Sequence, residues 1–303
     1  MIPIHESRIS ARDGTQLAVY ECGAGPGPVL MLANGLGGNI DAWRYFIEDF
    51  GTHHRILSWD YRGLYHSGPC ASGSDYTVQA QVDDLRAVLD HFGVDQTVLI
   101  GWSMGVQVVF EFYRHQADRV LGLVLVNGTY GKPFATAFAP VLGKSPVVPY
   151  IPAIMRALQS IAPLAEPLQP VARRLARTRA ALRTLRLVGL VGDTLDEEMF
   201  VTLAEQVAML HMPRYMATLN ALGEHCTAAL LPFVDRPTLI VSGDRDLFTP
   251  ISQSREMAAR IPKAELLEIA GGSHYTPLEF PGLIHGRVQR FLKERLGFER
   301  SAG

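Results

Sequence analysis

Short apolar runs punctuate the first 130 residues: VLMLA at 29–33, RILSWD at 55–60, TVLIGW at 97–102 and VLGLVLV at 120–126. Each is apolar at consecutive positions, the pattern of a strand covered on both faces. Between two of them the period changes. Val78, Val82, Leu85, Leu89 and Phe92 recur at helical spacing, after Ser74 and Asp75 and before Gly93, which predicts a helix crossing from one strand to the next. Alternation of this kind predicts a parallel sheet. The rhythm resumes with PTLIVSGD at 237–244, a helical stretch over 252–260, AELLEIA at 264–270 and a last helix over 282–295. Two separated parts, 1–130 and 232–303, are therefore expected to build one α/β core. The stretch 131–231 is proline-rich and then helical, with no convincing strand, and is expected to form an inserted helical cap.

Composition narrows the class mainly by exclusion. The chain of 303 residues is 48% apolar and 19% charged with a net charge of -2, an ordinary globular balance from which no partner follows. Cys22, Cys70 and Cys226 are widely spaced and in no CxxC or Cys/His pattern, so neither a disulfide framework nor a zinc site is expected. A reducing cytoplasm is the compartment this usage fits. The N-terminus carries charges from Glu6 onward and no apolar run of signal-peptide length, so it reads as mature protein. The longest apolar stretches are broken by prolines and fall short of the roughly 18 to 20 residues that span a bilayer. Charge is unevenly spread: over 131–192 there are nine bases and one acid, Glu166, giving +8 and leaving about -10 for the remainder.

The sharpest chemical signal is Gly101-Trp102-Ser103-Met104-Gly105, directly after the strand TVLI and directly before the helical stretch VQVVFEFYRHQ. A serine at a tight strand-to-helix turn is presented at the carboxyl edge of the sheet, and the glycines give the backbone room to turn. The helix that starts there points its free N–H groups and positive dipole end at the same place. A serine hydroxyl needs a base to take its proton. Of ten histidines, His274 alone follows a predicted strand through a Gly271-Gly272-Ser273 turn, which puts it at the same edge. A carboxylate must then hold the imidazole in its working tautomer. SGDRDLFTP offers two; Asp246 has the reach, and Asp244 is the rival, better suited to capping the turn.

Four spaced motifs now agree: Asn34-Gly35-Leu36-Gly37-Gly38, Asp60-Tyr61-Arg62-Gly63, the serine turn, and Gly272-Ser273-His274 followed by Glu279-Phe280-Pro281. With the order Ser103, Asp246, His274, the chain resembles the α/β-hydrolase superfamily over nearly its whole length, the cap matching least. The resemblance implies an α/β-hydrolase fold with a mostly parallel central sheet flanked by helices. It also implies an oxyanion hole from the backbone N–H groups of Leu36 and Met104. Two positions depart from the family pattern. Asn34-Gly35 stands where His-Gly is usual, and Arg62-Gly63-Leu64-Tyr65-His66-Ser67 replaces the usual Arg-Gly-His-Gly-x-Ser. Asn34 is expected to brace its loop by hydrogen bonds, and Asp60 and Arg62 to tie loops together. Dehalogenases and epoxide hydrolases of this fold place an aspartate where Ser103 stands, so the resemblance points to attack on a carbonyl.

The expected activity is hydrolysis of a carboxylic ester of a small or medium apolar substrate through an acyl-enzyme on Ser103, with no cofactor and no metal. A carbon-carbon bond hydrolase or lactonase with the same triad, acyl transfer to an acceptor other than water, and a non-catalytic ligand-binding receptor are the alternatives. Trp102 is expected to be core or pocket wall. Apolar cap residues, Phe134, Phe138, Val147, Val148, Ile151, Ile154, Met155, Leu158, Ile161 and Leu164, fit packing against the core or the lining for an apolar chain. The arginines between 173 and 186 fit a solvated helix face better than an anionic substrate or a lipid surface, which leaves peripheral membrane contact as a lesser reading. No platform for nucleic acid and no phosphate or dinucleotide loop is found.

Overall fold

The computed structural model describes residues 2–143, 145 and 150–298. Eight strands form one sheet: β1 (Ile4–Ser10), β2 (Gln16–Cys22), β3 (Val29–Ala33), β4 (Ile56–Trp59), β5 (Thr97–Trp102), β6 (Val120–Val126), β7 (Thr238–Gly243) and β8 (Ala264–Ile269). Their order across the sheet is β1-β2-β4-β3-β5-β6-β7-β8. Strands β3 to β8 are parallel, and β2 is antiparallel to both of its neighbours. The apolar runs predict β3 to β8. They miss the hairpin β1–β2: in β1, Ile4 to Arg8 all face solvent and the strand is held by its ladder to β2, whereas β2 is buried over Leu17 to Tyr20 and is not among the runs read.

Side chains alternate along each central strand between two cores. Leu99, Leu123, Leu125 and Met31 point to a layer built with α2 (Val78–His91), α3 (Met104–Gln116) and α11 (Ile251–Arg260). Val98, Ile100, Val124 and Leu30 point to the opposite layer, built with α1 (Arg44–Phe50) and α12 (Pro281–Leu296). Each fully buried aliphatic side chain contributes about 1.5–3 kcal/mol against the entropy of ordering the chain. This double burial is what the unbroken apolar runs encode.

Between β6 and β7 run α4 (Pro133–Thr136), α5 (Ala139–Leu142), α6 (Ile151–Ile161), α7 (Gln169–Ala176), α8 (Arg179–Leu187), α9 (Glu197–Ala208) and α10 (Met212–Glu224). The segment leaves and rejoins the core at one point. Gly131 and Cys226 form an isolated bridge, flanked by Lys132 N–H donating to His225 O (2.8 Å) and Thr227 N–H to Tyr130 O (2.7 Å). It is anchored again over the carboxyl edge of the sheet, where Asn39 donates to Gln206 (2.9 Å), Gln206 to Asp41 (2.8 Å) and Tyr45 to Asp196. Phe134, Phe138, Ile151 and Met155 line a cavity, as one reading allowed. Ile154, Leu158, Ile161 and Leu164 do neither of the things expected of them: they are exposed. Val147, Val148 and Lys144 lie outside the described residues. No described helix is long and apolar enough to cross a membrane.

The tying role expected of Asp60 and Arg62 is visible. Asp60 accepts from Tyr20 (2.8 Å) and from His66 N–H (3.0 Å). Arg62 holds Asp84 through two bonds, Nε to Oδ2 at 2.9 Å and Nη2 to Oδ1 at 2.6 Å, with side chains 4% and 0% exposed. Removing one partner of such a pair leaves a charge uncompensated inside the protein. Asp84→Ala is therefore expected to lower unfolding free energy by about 3 kcal/mol, read from the urea midpoint, Asp13 retaining part of the guanidinium's compensation.

Candidate active site

Ser103 is the whole of the turn between β5 and α3, with φ 55° and ψ −113°. A serine in this region is strained by about 1–3 kcal/mol and persists only because its surroundings fix it. Ser103 N–H donates to Val126 O at 2.9 Å, and Val106 N–H to Ser103 O at 3.1 Å. The glycines of the motif are required by contact. A Cβ on Gly105 would lie 2.1 Å from Ala33 O, and one on Gly101 would lie 2.7 Å from the Gly105 backbone. Ser103 takes the N-cap position of α3, yet its hydroxyl makes no capping bond. It is free to face the histidine.

His274 Nε2 lies 2.9 Å from Ser103 Oγ, and His274 Nδ1 lies 2.8 Å from Asp246 Oδ2. The three predicted residues thus come together from three loops at the carboxyl edge. Asp246 is 1% exposed. Its Oδ1 accepts from Phe248 N–H (2.8 Å) and Thr249 N–H (2.9 Å), and its Oδ2 accepts from the Thr249 hydroxyl (2.7 Å) and Asn127 Nδ2 (2.8 Å). Burial pushes this carboxyl up, but the adjacent His274 and the bonds from Thr249 and Asn127 outweigh it and hold the group below the usual carboxylate range. An acceptor-only carboxylate at Nδ1 requires the ring proton there, which leaves the Nε2 lone pair for the serine hydroxyl. Asp244 caps the turn instead, accepting from Gly271 N–H at 2.8 Å.

Two neighbours, Asn127 and Glu279, escaped the sequence reading as parts of the site. Asn127, at φ 42° just past β6, donates to both Asp246 Oδ2 (2.8 Å) and Ser273 O (3.0 Å), and accepts from the Thr276 hydroxyl. It ties the Asp246 loop to the His274 loop. Its only sequence signal is an asparagine before a glycine at a strand end. Glu279 accepts from Ser273 N–H (2.8 Å) and from Gly192 N–H (2.6 Å), joining the His274 loop to the β6–β7 segment. Trp102, a wall of the site, also donates to His274 O at 3.1 Å.

Leu36 sits in a turn closed by Gly38 N–H to Gly35 O (2.9 Å), with Gly37 at φ 89° and Gly37 O accepting from Tyr65 (2.6 Å). Asn34 braces it as expected, donating to Trp59 O (2.8 Å) and accepting from Trp43 Nε1 (2.6 Å). Met104 opens α3, so its N–H has no acceptor within the helix. Two chambers meet at Ser103 and His274. One, of about 310 Å³, lies beneath Phe134, Phe138, Ile151 and Met155. The other, of about 230 Å³, runs along Gly35–Gly38 towards Phe200, Leu203 and Val207. Leu36, Tyr215 and Tyr275 border both. Larger clefts of about 570 and 590 Å³ lie elsewhere and hold neither Ser103 nor His274. Among the described residues no cluster of three or more His, Cys, Asp or Glu could hold a metal.

A mostly parallel sheet with a strained serine between β5 and α3 is the layout of an α/β hydrolase. The profile of the family described as alpha/beta hydrolase fold matches residues 28–281, and the chain belongs to that family. It is 24% identical over 282 residues to epoxide hydrolase 3 of Xenopus tropicalis, covering 88% of this chain and 72% of that one. It is 25% identical to the putative carbamate hydrolase RutD of Agrobacterium fabrum, covering 88% and 93%. Among solved structures, a hydrolase from Pseudomonas aeruginosa PA01 superposes with a TM-score of 0.73 at 24% identity, over 95% of this chain and 98% of the other.

The depressed Asp246 carboxyl carries a stability signature. A group whose folded pKa is lowered stabilises the fold above its unfolded pKa, and that contribution is lost as pH falls through the folded value. Asp246→Asn is expected to be less stable than the native chain by about 2–3 kcal/mol at neutral pH. The gap in urea midpoints should narrow below about pH 4. A gap unchanged by acid would mean that the carboxylate is not held charged by these partners.

Proposed function

We propose that the protein is a serine hydrolase that cleaves a carboxylic ester of a small or medium apolar substrate through an acyl-enzyme on Ser103. The observation that carries this reading is the unbroken hydrogen-bond path Asp246–His274–Ser103, at 2.8 and 2.9 Å, on a serine held in a strained turn. In the first half-reaction Ser103 Oγ attacks the ester carbonyl carbon while its proton passes to His274 Nε2. The Leu36 and Met104 N–H groups face the oxygen that becomes negative, and the tetrahedral centre collapses as the alcohol leaves with the proton from His274. Water then repeats the sequence on the acyl-enzyme, with His274 again as base. Asp246 stays ionised throughout and stabilises the imidazolium.

In this reading residues 131–231 are a cap over the site, and the two chambers receive the two halves of the ester. Both are mainly apolar, which favours an ester apolar on each side of the scissile bond. Epoxide opening by a nucleophilic carboxylate is not available, because Ser103 occupies the elbow. A carbamate presents the same carbonyl to the same serine, and the resemblance to a putative carbamate hydrolase makes it the second substrate class to test.

Purified protein should hydrolyse short p-nitrophenyl esters and label with a fluorophosphonate. Ser103→Ala should lose labelling and at least about 10⁴-fold in kcat while staying folded, and Asp246→Asn should lose about 10⁴-fold. Equal rates for the native chain and Ser103→Ala would remove Ser103 from the chemistry. Met155→Phe should narrow the larger chamber, cutting kcat/KM for the longest accepted acyl chain by about 10–200-fold while sparing acetate esters. A carbamate preferred over the matched ester would replace the ester reading and leave the triad in place.

A further inference from the structure

The outer side of α6, of the 3₁₀ stretch Ala162–Leu168 and of α7 carries an apolar stripe. Ile154, Leu158, Ile161, Leu164, Leu168, Val171 and Leu175 follow one another at steps of three or four residues. Every one is exposed, Leu164 by 73% and Leu168 by 61%. The opposite side is the packed one: α6 and the 3₁₀ stretch lie on α10, and α7 lies on α9. Ile151 and Met155 of α6 line the chamber beside Ser103. The polarity of a water-facing helix is thus reversed here, with leucines and isoleucines where a solvated face should be.

Charge identifies what covers the stripe. Arg173 and Arg177 pair with Glu205, Arg156 with Glu224 and Arg186 with Glu197. Arg174, Arg179 and Arg183 are exposed and make no ion pair among the described residues. A second copy of the chain would set the same basic excess against itself, whereas phosphate headgroups complement it. An amphipathic segment with arginines beside an apolar face lies in the plane of a bilayer surface, its apolar side among the upper acyl carbons.

We propose that the outer face of α6, α7 and α8 docks on an anionic phospholipid surface, with Leu164, Leu168 and Leu175 inserted and Arg174, Arg179 and Arg183 on the headgroup phosphates. Docking stands independently of the serine chemistry. One consequence rests on the ester reading: α6 then has lipid on one side and the acyl chamber on the other, so a membrane-partitioned ester reaches Ser103 past a single helix.

Co-sedimentation of the full chain with vesicles tests this. Binding is expected to phosphatidylcholine vesicles containing phosphatidylglycerol, to fall at least about tenfold on phosphatidylcholine alone, and to weaken as salt is raised. The double variant Leu164→Glu, Leu168→Glu and the triple variant Arg174→Glu, Arg179→Glu, Arg183→Glu should each lose at least about tenfold in bound fraction. Both should hydrolyse a water-soluble ester at the native rate, which confirms folding. A native chain that ignores anionic vesicles overturns the proposal. So does a concentration-dependent dimer, read by light scattering, that the leucine variant abolishes, because the stripe is then a contact between copies. Loss of esterase activity in the native chain would bear on the ester reading and leave vesicle binding unaffected.

Discussion

One buried carboxylate organises this site. Asp246 receives hydrogen bonds from three separate pieces of chain: its own loop, the end of β6 at Asn127, and the loop after β8 at His274. Burial of an unpaired carboxylate is costly, so these donors are the condition under which Asp246 can sit inside at all. The same donors fix where His274 goes and which nitrogen carries its proton. In the proposed reading, desolvation and catalysis are therefore one constraint. The group that must be satisfied to be buried is also the group that aims the base at Ser103.

The serine end obeys a different constraint, set by backbone proximity. Strands β3 and β5 and helix α3 meet so closely that residues 101 and 105 have no room for a side chain, and Ser103 is forced to positive φ between them. Strain of this kind is sustained by the double core behind it, where Val98, Ile100, Leu123 and Val124 are fully buried. The packing that makes the strands legible as apolar runs is thus what holds Ser103 in an unfavourable conformation.

How far the sequence reveals this depends on the distance over which each feature is encoded. The strands β3 to β8, helix α2 and the serine turn are local patterns, and residues 97–105 alone contain strand, turn and helix start. His274 and Asp246 were reachable because each follows a strand, so topology brings them to one edge. Asn127 was not, since its role comes from contacts with residues 119 and 149 positions away and nothing near it marks them. Glu279 was visible as part of a motif but its bond to Gly192 spans two segments that only the fold joins. Strand β1 escapes for the opposite reason: it is exposed, so the apolar signal that betrays a strand is not written into it.

The β6–β7 segment shows what a hydrophobic pattern leaves undecided. Helical spacing gives α6 and α7 an apolar side, but periodicity says nothing about which side meets the protein. Phe134 and Met155 turn inward while Leu158 and Leu164 turn outward, although all four were equally good candidates for burial. The deciding fact is that α10 and α9 already occupy the inner side, so two apolar faces of one segment need two partners. One is the chamber at Ser103. Arg174, Arg179 and Arg183, the arginines of this stretch without an ion pair among the described residues, acquire a reason if the proposed second partner carries phosphate. Charge asymmetry and misplaced leucines, read apart, are each weak; carried by one stretch of chain, 154–183, they favour the same proposed neighbour.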